Sequence, residues 1–138
     1  MTKILVVDDE PAIVVYLTTV LGDEGYDTCS TTEALAVLDL VRAERPDLIC
    51  LDIMMPQRSG LSLYQSLKRD PETRAVPIVF VSAFSELHDL SSPVYFRKLI
   101  PEPEVPEPDA CIEKPIDVPS FLETIARLVK SPASQGKP

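Results

Sequence analysis

The sequence predicts an α/β fold, a parallel sheet of five strands with helices on both faces. Three observations predict it. Short segments of strand character alternate five times with stretches of helical character. The runs ILVV, LICL and IVFV are apolar throughout, the first of them rich in β-branched residues, the pattern of strands buried on both faces. Polar residues follow each run, so they gather at the carboxyl ends of the strands, where folds of this class bind ligands. Strands alternating with helices along one chain imply right-handed crossovers.

Residues 4–7 form the first predicted strand, ended by acids. Pro11 suits the first turn of a helix, where a missing N–H costs nothing, with the acid before it as cap. Ile13, Leu17, Val20 and Leu21 mark that helix's buried face, and Gly25 can close it in the left-handed conformation. Residues 26–29 read as a second strand, and Ser30-Thr31-Thr32-Glu33 as a capping box opening a helix with Ala34, Leu35, Leu38 and Val41 on one face. Arg45-Pro46-Asp47 interrupts it. Residues 48–51 are the third strand, ending at Asp52, and a helix over about 61–68 stops ahead of Pro71. The fourth strand, 78–81, leads to Ser82. Residues 86–99 form a poorly patterned helix that Pro93 kinks or restarts. The segment 100–109, with four prolines and four acids, is predicted to be extended, solvated and non-helical. A fifth strand over 110–113 precedes Lys114-Pro115, and Phe121, Leu122, Ile125 and Leu128 outline the last helix.

With 138 residues, 45% of them hydrophobic, the chain supports one packed domain, read as 1–130 with a flexible tail at 131–138. A formal charge of −9 argues against a polyanionic partner, because nucleic-acid affinity comes largely from Lys and Arg. Cys29, Cys50 and Cys111 are widely spaced, lie in or near apolar stretches and read as buried thiols. The N-terminal apolar run is far short of a signal peptide or a membrane span. A cytoplasmic protein without membrane or nucleic-acid partners is the resulting expectation.

In this fold Asp8 and Asp9 close the first strand, Asp52 the third, Ser82 the fourth and Lys114 the fifth, so five side chains converge on one rim. Clustered carboxylates must be neutralised by protons or a cation. Mg²⁺ matches a sparse acidic set, since it keeps several waters and takes only one or two carboxylates with phosphate oxygens. One carboxylate can then attack phosphorus, with Lys114 and Ser82 stabilising the phosphoryl oxygens.

The strings KILVVDDEP, LICLDIMMPQRSGL, IVFVSA and IEKPID, in this order, resemble the signature segments of response-regulator receiver domains of bacterial two-component systems, over roughly residues 3–130. The resemblance implies a flavodoxin-like sheet of order 2-1-3-4-5. It implies Mg²⁺ held by Asp8, Asp9, Asp52 and the backbone carbonyl of Met54, and Asp52 as phosphoacceptor. Ser82 takes the family's hydroxyl position, Lys114 binds the phosphoryl group, and Pro115 follows a cis peptide. Gly60 permits the tight turn into the third helix. The implied partners are a sensor histidine kinase or histidine phosphotransfer protein and a downstream output protein, with the chain a monomer or a phosphorylation-dependent dimer.

Two departures stand out. Where the family commonly carries a switch aromatic, three residues before the lysine, this chain has Cys111, with Tyr95, Phe96 and Phe84 as candidate substitutes. Ser82 and Lys114 are also further apart than usual, the excess lying around IPEPEVPEPD, which is either a tolerated insertion or a partner-binding element. His88 and the Met54 and Met55 side chains carry no expected chemistry, and Tyr64 reads as surface or packing. The leading function is a phosphorelay switch rather than an enzyme with an external substrate. A receiver-like docking module independent of phosphorylation is the alternative. A Mg²⁺-dependent phosphatase is disfavoured because Met54 stands where a second acid would be needed.

Overall fold

The computed structural model describes residues 2–83 and 92–136, without side chains from 130 onward. Five strands, β1 (Lys3–Val7), β2 (Asp27–Thr31), β3 (Leu48–Leu51), β4 (Ile78–Ala83) and β5 (Ala110–Lys114), form one parallel sheet in the order β2-β1-β3-β4-β5. The helices are α1 (Pro11–Asp23), α2 (Val37–Glu44), α3 (Gly60–Arg69), α4 (Pro93–Leu99) and α5 (Val118–Gly136). The last continues to Gly136, into the stretch whose composition suggested a tail.

Side-chain alternation along the strands divides the core in two. Ile4 and Val6 of β1, Leu48 and Cys50 of β3, and Val79 and Val81 of β4 pack with Leu17 and Leu21 of α1 and Phe121 and Ile125 of α5. Leu5, Val7, Ile49, Leu51, Ile78 and Phe80 point the other way, onto Val37 and Val41 of α2, Leu63, Tyr64 and Leu67 of α3 and Phe96 of α4. The helices therefore cover both faces, as expected.

Helix ends show where local signals hold. Pro11 opens α1, and Gly25 (φ +93°) closes it: Gly25 N donates to Gly22 O and Tyr26 N to Leu21 O, the paired bonds of a left-handed helix stop. The expected capping box does not form. Thr31 ends β2, its hydroxyl accepts from Glu33 N, and a 3₁₀ turn over Ala34–Ala36 precedes α2. The tighter turn rotates the apolar face, so Ala34, Val37 and Val41 are buried whereas Leu35 is 68% exposed.

Segment 100–109 is non-helical and mostly exposed, as its composition suggested, but it is anchored to the core at two points. Ile100 and Val105 are fully buried, and Val105 N closes a turn onto Glu102 O. Arg97 of α4 donates from Nη1 to the carbonyls of Ile100, Glu102 and Val105, while the Tyr64 hydroxyl donates to Pro106 O at 2.6 Å. Glu102 pairs with Arg69 at 2.9 Å and accepts from Gln65, and Asp109 accepts from Ile78 N. The prolines remove backbone donors, so side chains satisfy the carbonyls instead. Tyr64, read from sequence as surface or packing, is completely buried between Phe80 and Phe96.

Of the three cysteines, Cys50 is buried, its thiol pushed up to about 12 by burial; Cys29 and Cys111 are half-buried, less enclosed than expected. Phe84 and His88 lie outside the described residues. No helix among the described residues is long and apolar enough to cross a membrane.

Candidate functional site

β1 and β3 are neighbours paired from Ile4↔Leu48 to Val7↔Leu51, so the residues that follow, Asp8 and Asp52, emerge side by side. Asp52 N donates to Val7 O at 3.0 Å, locking this register to the end of the strands. β4 lies next to β3, and β5 next to β4 with Ala83 opposite Lys114, which carries Ser82 and Lys114 to the same rim. The Lys114–Pro115 peptide is cis. All the expected side chains therefore meet, although they come from segments as far apart as residues 8 and 114.

Gly60 has a role other than the one expected. Its φ is not positive; a Cβ there would stand 2.2 Å from Asp52 O and 2.7 Å from Ile53 Cα. The glycine lets the start of α3 lie against the backbone of the acceptor loop, where Gly60 N donates to Ile53 O at 2.7 Å. Ser59 caps the helix by accepting from Ser62 N. In the same loop, Gln57 adopts a left-handed φ of 74°.

Asp52 is 4% exposed. Its Oδ1 accepts from Ser82 Oγ at 2.7 Å and from Met54 N at 3.3 Å, and its Oδ2 lies 3.8 Å from Lys114 Nζ. Ser82, fully buried, also accepts from Ile53 N at 2.9 Å, which fixes its hydroxyl proton toward the carboxylate. Burial pushes the Asp52 carboxyl up to about 6, and Asp8's charge adds to the rise; the Ser82 hydrogen bond, Lys114 and the Met54 N–H work against it. Burial alone would depress Lys114, but Asp8, Asp52 and Glu10 outweigh it and hold its ammonium above its ordinary value.

Asp8 carries an incomplete shell. Its Oδ1 accepts from Glu10 N at 3.0 Å, whereas its buried Oδ2 sits 2.8 Å from Lys114 Nζ without an aligned hydrogen bond. Among the described residues the Lys114 ammonium is the one partner of this buried oxygen, and a carboxylate buried beside a second one has room for further cationic compensation. Carboxylate oxygens of Asp8, Asp9 and Glu10 lie within 4.8 Å of one another, and Asp9, Glu10, Asp52, Met54, Ala83 and Lys114 border an open cleft of about 390 Å³. These oxygens, with no His or Cys among them, fit a hard divalent cation such as Mg²⁺. Chemically, the arrangement offers a buried carboxylate with one oxygen held by donors and the other turned toward an ammonium.

The sequence reading missed Glu10, which it treated as a helix cap. Its side chain makes no cap bond and instead approaches Lys114, with Oε1 3.4 Å from Nζ. The Asp-Asp-Glu run was the available signal, but sequence alone could not tell a cap from a partner of a residue 104 positions away.

Residues 4–94 match the response regulator receiver domain family. The chain is similar to the polar-differentiation response regulator DivK of Brucella anthropi, 36% identical over 125 residues that cover 89% of this chain and 92% of the relative. Among solved structures it is similar to a sensor protein from Polaromonas sp. JS666, with a TM-score of 0.79, 26% identity and coverage of 94% and 96% of the two chains. A receiver domain protein from Clostridium thermocellum, 17% identical, shares the fold with a TM-score of 0.80 over 98% of this chain and 99% of the other. Sequence family, fold and the clustering at the strand ends agree, and the chain belongs to the response regulator receiver domain family of two-component signalling.

Proposed function

We propose that this receiver accepts a phosphoryl group on Asp52 from a histidine kinase or phosphotransfer protein and thereby changes its affinity for an output protein in the cytoplasm. The observation that carries the reading is the asymmetric environment of Asp52: Oδ1 is held by Ser82 and Met54 N, while Oδ2 faces Lys114 beside the cleft. Oδ2 is therefore the oxygen free to attack phosphorus. The new O–P bond forms as the donor's P–N bond breaks, and the departing imidazole nitrogen takes the electron pair. Lys114 neutralises a phosphoryl oxygen, and Ser82 can turn its hydroxyl from Asp52 to another. Asp8, Asp9, Asp52 and the Met54 carbonyl would hold Mg²⁺, which supplies neutralising charge to the carboxylates and the phosphoryl oxygens.

Incubation with acetyl phosphate and Mg²⁺, read by intact mass, tests this. One phosphoryl adduct is expected, absent in Asp52→Ala; an adduct that survives that substitution, or none in the wild type, overturns the reading. One observation favours a second reading, docking independent of phosphorylation. The half-buried thiol of Cys111 stands where the receiver resemblance calls for a swinging aromatic. Equal partner affinity before and after phosphorylation would support it.

A further inference from the structure

Glu10 lends one oxygen to the acidic cluster at the cleft but is not among the residues proposed to hold Mg²⁺. As N-cap of α1 it is a poor choice, since a Glu side chain cannot close the short loop that Ser, Thr, Asp or Asn closes. Pro11 at the first helical position reduces the need for a cap, and Glu10 leaves its own helix unbonded. The side chain reaches across to Lys114, with Glu10 Oε1 accepting from Nζ at 3.4 Å. Lys114 thus faces three carboxylates, Asp8 at 2.8 Å, Glu10 at 3.4 Å and Asp52 at 3.8 Å. Asp8 and Asp52 are buried and are the two that a bound cation would claim. Glu10, 62% exposed at the mouth of the cleft, is the carboxylate left to the lysine.

We propose that Glu10 is a positioning residue that shares the Lys114 ammonium with Asp8 from the mouth of the cleft and competes with the phosphoryl group for it. The inference rests on the phosphoacceptor reading of Asp52. A phosphoryl group on Asp52 must draw Lys114 inward, away from Glu10, and its negative oxygens also repel the Glu10 carboxylate. Glu10 therefore opposes the modified state, and neutralising it favours that state. Glu10→Gln keeps the side-chain length and an acceptor oxygen while removing the charge.

The test uses beryllofluoride with Mg²⁺ as a phosphoryl mimic, its binding followed by NMR, in wild type, Glu10→Gln, Lys114→Ala and the double variant. Glu10→Gln is expected to lower the half-saturating beryllofluoride concentration by about two- to fivefold, the range open to a water-exposed ion pair. The effect should vanish in the Lys114→Ala background. A second cycle on the same variants, urea unfolding in EDTA, reads the pair without metal or mimic; there the two substitutions should be non-additive by about two- to fivefold in the unfolding constant. Additive unfolding effects, persistence of the beryllofluoride effect without Lys114, or an equal change in affinity for Mg²⁺ alone would each overturn the proposal. A wild type that takes no beryllofluoride overturns the acceptor reading and this proposal with it. Normal wild-type binding with additive variants overturns this proposal alone.

Discussion

Replacing Asp52 by Asn is expected to stabilise the metal-free protein. Burial raises the Asp52 carboxyl from 3.8 to about 6. Since the folded value lies above the unfolded one, the proton favours the native state. That contribution is fully present below about 3.8, declines as pH rises, and is lost above about 6, where the fold holds a charged carboxylate. A separation of about two pH units corresponds to about 3 kcal/mol as an upper bound. Water in the open cleft screens part of it, leaving about 1–2 kcal/mol. Asn preserves the oxygen that accepts from Ser82 and Met54 N, so the gain is not offset by a broken hydrogen bond. Urea unfolding in EDTA should show the variant more stable by that amount near pH 8, with the gap shrinking by more than half near pH 4.5. Excess Mg²⁺ should narrow or reverse the order, because only the wild type keeps the full ligand set and binding to the native state adds stability. An Asn variant less stable than wild type in EDTA near pH 8, or a gap independent of pH, would refute the electrostatic account.

Other substitutions probe the supports. Ser82→Ala leaves Ile53 N without its acceptor and Asp52 without its hydroxyl donor, and should cost about 1–3 kcal/mol in urea unfolding. Gly60→Ala drives a methyl into the Asp52 carbonyl and should cost about 2 kcal/mol or more while weakening Mg²⁺ binding in calorimetric titration. Gly22→Ala, in open space within α1, should instead stabilise by about 0.5–1 kcal/mol, so the pair separates crowding from chain entropy. Tyr64→Phe removes the bond to Pro106 O; a loss of about 1 kcal/mol, with faster amide hydrogen exchange around 102–107, is expected. In the native protein a thiol reagent should modify Cys29 and Cys111 before Cys50, and the reverse order would contradict the packing around β3.

The strands and the order of their functional residues were readable because both are local. A short run such as LICL is apolar at every position only if both faces are covered, and the acid directly after it must then lie at the sheet's rim. The same logic brought Asp8, Ser82 and Lys114 to that rim, and a composition without His or Cys clusters pointed to a hard cation. Starts of helices were less legible. Ser30 could cap a helix or lie in a strand, and pairing with β1 chose the strand, which shifted the buried face of α2 away from Leu35.

Three features depended on tertiary contacts that no local periodicity encodes. The proline- and acid-rich stretch gained its shape from Arg97, Tyr64 and Arg69, which bond its carbonyls and Glu102, and from a pocket that takes Val105. Gly60 was visible as a turn glycine, but only packing against Asp52 O supplied the reason that a methyl is excluded. Glu10 looked like a helix cap until the fold set it beside Lys114. Periodicity and turn chemistry register what a residue does within a few positions of itself; contact between separate segments exists only once the chain has closed on its core.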